Sequence, residues 1–345
     1  MKLRGIDFDV VRTASGVLGF FGEGYWFHSL PLLSQWYAPL DEIGFTSKTA
    51  TLLPREGNLS RKDFLPKCVK VYPLRGGGLV LNAVGLSNPG LPALLFDGRW
   101  YRRKKPFMIS LAAVGSTIDR RHDERREMAK LLAHDRDMFS TVFGIQENMS
   151  CPNVDVHSLQ GEELKMHNLD EAFDSARKRL YGAFVQECHE AREIFARYLP
   201  GVPQQVKLSL LTPVDVATEI VSHEHCDAIA ISNALPFGEL PQYVFWDQLF
   251  GGGDPRDDSP LAEFGGGAIS GMPLFLPTFF WLHQAGLLIE KPIEVGGGIL
   301  GSGQVEVLAQ TRIPVAVTLG SISLLRPHMI PQTITTARAV LPRSV

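Results

Sequence analysis

Cysteine is scarce. The 345 residues hold four, Cys68, Cys151, Cys188 and Cys226, with no CxxC pair. That spacing speaks against a disulfide framework or a structural zinc site and suits a reducing compartment. No long basic stripe is present and the formal net charge is −3, so nucleic acid is not expected as a partner. No GxGxxG opens a helix after the first apolar run, and no GxxxxGK[ST] occurs, so dinucleotide-Rossmann and P-loop readings lose support. A membrane-length hydrophobic run is also missing. The most apolar stretch, Met272–Ile289, is interrupted by Pro273, Pro277, His283 and Gln284, and its pattern predicts a buried core helix. The start, Met1–Val11, alternates and carries Asp7 and Asp9, with no cleavage-site pattern. No signal peptide, no membrane partner and a cytoplasmic protein are therefore expected.

What is present is alternation. Val10–Ser15, Gly44–Ser47, Met108–Val114, Phe143–Met149, Val206–Leu210, Ala228–Ser232, Pro292–Val295 and Val315–Leu319 are short, apolar or β-branched, as buried parallel strands are. Helical patterns lie between them at Arg120–His134, Asp170–Tyr198, Val214–Ser222 and Gly303–Gln310. Eight such alternations predict an α/β fold, a (β/α)8 TIM barrel, rather than a doubly wound sheet. The expected organisation is one domain over residues 1–345, with inserted loops near 49–81 and 236–267 over the C-terminal face. The first insert is expected to hold a small hairpin.

Barrel chemistry sits at the C-terminal ends of the strands. Those ends carry Ala14-Ser15-Gly16, Ser47-Lys48-Thr49, Asn148 to Asn153 with Cys151, Lys207, Ser232-Asn233-Ala234, Gly296-Gly297-Gly298 and Gly320-Ser321. Glycines after the seventh and eighth strands let backbone N–H groups approach a phosphate. A buried Lys needs a partner, and Lys48 and Lys207 on or beside strands suggest an anionic ligand. Cys151 lies in a polar turn with Asn148, Ser150 and Asn153, which sets it apart from a packed small hydrophobe. Other clusters read more plainly. Ser222-His223-Glu224-His225-Cys226 precedes the sixth strand and reads as a solvated turn rather than a metal site. Arg102-Arg103-Lys104-Lys105 reads as a solvated loop, and Arg75-Gly76-Gly77-Gly78 as a turn. Trp26, Trp36 and Tyr37 stand out as exposed aromatics.

These strand-end residues, in order, resemble the flavin-dependent dihydroorotate dehydrogenases, especially the soluble class with a cysteine base. The matching segments are Thr13–Gly16, Ser47–Thr49, Arg55–Asn58, Asn82–Gly90, Asn148–Asn153, Val206–Leu208, Ser232-Asn233, Gly265–Gly271, Gly296–Gly298 and Gly320-Ser321. The Asn-Met-Ser-Cys-Pro-Asn turn is the most specific of them. The resemblance implies an FMN-bound barrel that oxidises dihydroorotate to orotate in pyrimidine synthesis. Cys151 would take the C5 proton and FMN N5 the C6 hydride. Lys207 would stabilise the reduced flavin, and Lys48 would touch flavin and substrate. By the same resemblance Ala14, Ser15, Gly16, Thr49 and Asn148 would join these lysines around the cofactor. Gly266, Gly267, Gly297, Gly298, Gly320 and Ser321 would hold its phosphate. Asn82, Asn148, Asn153 and Asn233 would bind the substrate as amides that both donate and accept, with Val84, Gly85 and Leu86 closing over it. No metal is implied.

Departures mark a divergent member. Ala234 stands where the family has Ser or Thr, and Met272-Pro273 where Lys-Pro is common. The 236–264 insert is long, with Trp246, Asp247, Asp254, Asp257 and Asp258. The membrane class usually has a Ser base, so quinone use is disfavoured. Fumarate and NAD through a separate electron-transfer subunit both remain open, and a homodimer is expected. A related dihydropyrimidine dehydrogenase-like activity usually has His where Asn153 stands. A flavin-binding protein without turnover is the non-enzyme alternative.

Overall fold

Segments too short for helices and buried on both faces have one stable arrangement, a parallel sheet covered by helices. In the computed structural model the eight apolar runs become β1 (Val11–Thr13), β2 (Phe45–Thr46), β3 (Phe107–Leu111), β4 (Phe143–Asn148), β5 (Gln204–Leu208), β6 (Ala228–Ile231), β7 (Ile293–Val295) and β8 (Val315–Leu319). The structure describes residues 1–59, 66–149, 171–251, 258–311, 313 and 315–342, with the backbone alone of 171–178. All neighbouring strands pair in parallel, in the order β1-β8-β7-β6-β5-β4-β3-β2. The ring closes between β1 and β2, where Thr13 N donates to Gly44 O (2.8 Å) and Gly44 N to Val11 O (3.0 Å). This is the predicted (β/α)8 barrel, and every strand overlaps its predicted segment.

Helices Ile118–His134, Glu171–Tyr198, Val214–Ser222 and Ser302–Gln310 fall on the predicted stretches. The first starts where Thr117 accepts the N–H of Arg120 (3.2 Å), an ordinary N-cap. The apolar stretch 272–289 forms the helix Phe275–Ala285, but it is not a fully buried core helix. Pro277, Thr278, Trp281, Leu282 and Ala285 face the barrel, while Leu276 and Phe280 are exposed.

Two other expectations change. In the run Arg102–Lys105, Arg102, Lys104 and Lys105 are exposed as expected, but Arg103 is half-buried: its guanidinium lies over the Phe45 ring at 4.0 Å and donates to Phe21 O (2.8 Å). Tyr37 is buried and donates to Ser323 O (2.7 Å), because its ring packs against His28 and Phe27.

The two inserts meet. Val69–Tyr72 and Leu79–Asn82 form the expected hairpin, and Ala268–Gly271 and Leu235–Pro236 add to it as an antiparallel four-stranded sheet. At the opposite end, Lys2–Leu3 and Ile6–Asp7 pair across Arg4-Gly5, both at positive φ, as a two-residue hairpin demands. Met1, Leu3 and Phe8 then pack on Met108, Ala228 and Ala316.

The barrel interior carries a polar layer. Arg12 Nη1 lies 3.1 Å from Glu294 Oε2, and Arg12 Nη2 donates to Thr46 Oγ1 (2.8 Å). Gln205 Nε2 donates to Glu294 Oε2 (3.1 Å) and Thr318 Oγ1 to Glu294 Oε1 (2.5 Å), while Gln146 Nε2 donates to Gln205 Oε1 (2.8 Å). Burial pulls the Arg12 guanidinium below its ordinary value, against the opposing charge of Glu294.

Candidate functional site

Strand alternation turns Asn148 and Lys207 to adjacent positions, since they are register partners on β4 and β5. Past β6, Asn233 N donates to Leu208 O (3.1 Å), which brings its side chain back over β5. Asn233 Nδ2 then donates to Asn148 Oδ1 (2.7 Å), and both residues are buried. Three of the predicted residues thus converge at the C-terminal ends of three neighbouring strands.

A second group forms around β1 and β2. Ser15 Oγ donates to Ser47 O (2.8 Å) and sits 3.1 Å from Thr49 Oγ1, which in turn is 2.9 Å from Ser110 Oγ. Ala14 N donates to Leu319 O (2.9 Å), and Tyr25 Oη to Gly16 O (2.7 Å). Burial and the nearby Glu23 push the Tyr25 phenol up to about 12, so it stays a donor. Lys48 Nζ donates to Ser87 O and lies 4.9 Å from the Phe20 ring centroid. It therefore ties the β2 end to the segment that carries Val84, Gly85 and Leu86. That segment is pinned from below: Asn58 N donates to Val84 O (3.0 Å), and Asn88 Nδ2 to Leu86 O (2.7 Å) and to Thr51 Oγ1 (2.8 Å). Asn82 lies on the sheet over the barrel, opposite Ala268, with Nδ2 3.4 Å from Ala268 O.

The glycines separate into two places. Gly266 and Gly267 precede Ala268 beside Asn82: a Cβ on Gly267 would come within 2.8 Å of Asn82 O. Gly297, Gly298, Gly320 and Ser321 follow β7 and β8. Ser321 Oγ donates to Ser270 Oγ (2.8 Å), which joins the strand after the first pair to the end of β8. Gly297 has φ +93 and a Cβ there would lie 2.6 Å from Thr278 Oγ1 and 3.2 Å from Ser232 Oγ. Those two hydroxyls are buried and have no hydrogen-bond partner among the described residues. Buried polar atoms are ordinarily paired, and an oxyanion between them would accept from both. A Cβ on Gly298 would come equally close, 2.6 Å, to Phe275 N, the first residue of the helix Phe275–Ala285. Two unpaired hydroxyls beside a glycine turn, next to the start of a helix, are donors of the kind that fit a phosphate. Thr278 was not apparent from the sequence. Its only signal is a hydroxyl in an apolar helix.

Behind β4 lies an ion network that sequence reading also missed. Arg125 Nε donates to Glu147 Oε1 (2.5 Å) and Nη2 to Glu187 Oε1 (2.8 Å) and to Met149 Sδ (3.3 Å). Arg121 grips Glu187 through two bonds of 2.6 Å, and Arg192 pairs with Glu147. One guanidinium therefore holds the residues on both sides of Asn148. Burial raises the Glu187 carboxyl, but hydrogen bonds from Arg121 and the charges of Arg125 and Arg121 outweigh it and hold it at about 2. Cys151 and Asn153 lie outside the described residues.

No family model matches the chain. Curated relatives do. The catalytic subunit of dihydroorotate dehydrogenase B (NAD(+)) from Streptococcus pneumoniae is 27% identical over 338 residues, covering 97% of this chain and 89% of that protein. The subunit of the same name from Petrotoga mobilis is 31% identical over 156 residues, 45% of this chain, and the match spans 42% of its length. A solved structure of ligand-free dihydroorotate dehydrogenase from Eimeria tenella superposes with a TM-score of 0.61 at 14% identity, covering 98% of this chain and 86% of the other; it shows the shared barrel. Among the described residues, no helix is long and apolar enough to cross a membrane. Over nearly its whole length, and on this barrel, the chain is similar to the dihydroorotate dehydrogenases at low identity.

Proposed function

We propose that the chain binds FMN at the C-terminal face of the barrel and oxidises dihydroorotate to orotate. The observation that carries this reading is the Asn148–Asn233 pair beside Lys207. A planar ring edged with alternating N–H and C=O groups needs amides that can present either polarity, and two adjacent amides fixed by each other do this. The relatives' printed names support the same substrate.

FMN, when bound, supplies the acceptor for the hydride that leaves C6. Gly297, Gly298, Ser232 and Thr278 fit its phosphate, with Gly320 and Ser321 on the neighbouring strand end. Gly266 and Gly267 flank the same face from the sheet above. Ala14, Ser15, Gly16 and Thr49 would line the flavin, and Lys207 would hold a cation at its pyrimidine edge. Lys48 would orient flavin and substrate together, because its ammonium also grips the covering segment at Ser87. Asn82, Asn153 and the backbone of Val84, Gly85 and Leu86 would complete the substrate enclosure and exclude water. Cys151 Sγ would take the C5 proton as thiolate; a free thiol titrates near pH 8.5, within reach of neutral pH in an electropositive site. The printed names of these relatives favour NAD as final oxidant; a separate electron-transfer subunit and a cytoplasmic homodimer complete the proposal.

The test is anaerobic. The purified protein is expected to be yellow and to bleach when dihydroorotate is added. A yellow protein indifferent to dihydroorotate would overturn the substrate. A colourless protein that cannot be loaded with FMN would overturn the cofactor.

A further inference from the structure

The turn Ser222–Cys226 enters β6 at the N-terminal end of the barrel, away from the strand ends described above. Spacing along the chain does not announce its main contact, Glu193, which comes from the helix Glu171–Tyr198. His223 Nε2 lies 3.1 Å from Glu193 Oε1, and His225 Nε2 lies 3.9 Å from Glu193 Oε2. One carboxylate oxygen of Glu193, one of Glu224 and a ring nitrogen of His225 all lie within 4.8 Å of one another. Donors about 2.0–2.1 Å from a tetrahedral ion stand about 3.3 Å apart, so small rotations of these side chains complete the geometry.

We propose that Glu193, Glu224 and His225 form a site for a divalent transition-metal ion of the zinc type. An imidazole beside two carboxylates selects such an ion over magnesium or calcium, which prefer oxygen alone. The three groups lie at the surface, with Glu193 and Glu224 exposed and His225 half-buried, and a neighbour orients one of them. His223 Nδ1 accepts the N–H of His225 (3.2 Å), so its proton sits on Nε2 and is donated to Glu193 Oε1. That hydrogen bond orients the carboxylate, as outer partners of metal ligands do.

The turn itself is held rigid. Cys226 N donates to His223 O (3.0 Å), and Lys291 Nζ donates to the carbonyls of His223 and Cys226 (2.8 Å each). Two cations, Arg4 and Arg197, border the same cavity, and Arg4 is engaged by Asp227 at 2.9 Å. A cavity of about 260 Å³ bordered by two of the three, Glu193 and His225, gives room for waters on their side of the ion. The ion would join the last turns of the helix to the start of β6.

The experiment is calorimetric titration of the purified protein with Zn²⁺ after dialysis against EDTA. We expect one saturable ion per chain at this site, with a matching rise in melting temperature. His225→Ala should weaken binding more than about 100-fold, and His223→Ala about 10- to 100-fold. Glu193→Gln gives a second ligand variant on an exposed side chain, where folding is not at risk, and should also weaken binding. His134→Ala, at an exposed histidine elsewhere, should change nothing. Absence of saturable binding in the wild type would overturn the proposal. So would an affinity unchanged in both His225→Ala and Glu193→Gln, which would place the ion on other donors.

Discussion

Asn233 and Asn148 are 85 residues apart in the chain, yet the amide of one donates to the carbonyl oxygen of the other at 2.7 Å. The bond fixes the two amides relative to each other. Asn233 Nδ2 is the donor of the pair and Asn148 Oδ1 the acceptor.

Asn233→Ala removes that constraint and strands a buried acceptor, at a cost of about 1–3 kcal/mol. We expect orotate to bind about 5- to 150-fold more weakly, with the flavin still loaded. Titration of the flavin absorbance with orotate measures this. Unchanged orotate affinity would show that the pair does not face the ligand.

Gly297→Ala introduces a Cβ at φ +93, within 2.6 Å of Thr278 Oγ1. The methyl would occupy the cradle assigned to the phosphate. The variant is expected to purify with much less flavin per chain than the wild type, read from the ratio of visible to ultraviolet absorbance. Full flavin content would remove the cradle from the cofactor site.

Cys151→Ala tests the base. General-base catalysis contributes about 10²–10⁴-fold, and the anaerobic bleaching rate should fall by that order while flavin content holds. Stopped-flow absorbance gives both quantities. A rate within a few fold of wild type would assign the proton to another group.

Glu187 gives a pH dependence with a definite sign. Its carboxyl is held at about 2 in the fold, against 4.5 when unperturbed. The stabilisation is complete above about pH 4.5, where the unfolded chain is also ionised, and is lost as pH falls towards 2. A shift of this size amounts to about 3 kcal/mol. Urea unfolding between pH 5 and 2 should show that slope, and Glu187→Gln should flatten it.

The barrel was legible because each strand is a short run buried on both faces, where period-2 alternation gives way to continuous apolar residues. The amide pair and the lysines were legible through their position at strand ends. What escaped was polarity inside the core. Arg121 and Arg125 share the buried face of their helix with Met128, Ala129 and Leu132, spacing that does mark them as inward. Their partners Glu147 and Glu187 come from a strand and another helix, and no local pattern pairs them. Arg12 and Glu294 likewise meet only once the ring is closed. The sheet over the barrel escaped for the same reason, since Asn82 and Ala268 are 186 residues apart.

That sheet has a consequence for anyone who would re-engineer this scaffold. Its inner strands, Leu79–Asn82 and Ala268–Gly271, come from different inserts and are zipped by four consecutive residue pairs. Neither loop is a module. A graft of one from a relative must bring the other with it, because a register slip of one residue would turn Asn82 away from the ligand side. Recombination between family members should therefore succeed when both crossovers keep these two strands from one parent, and fail when they are split.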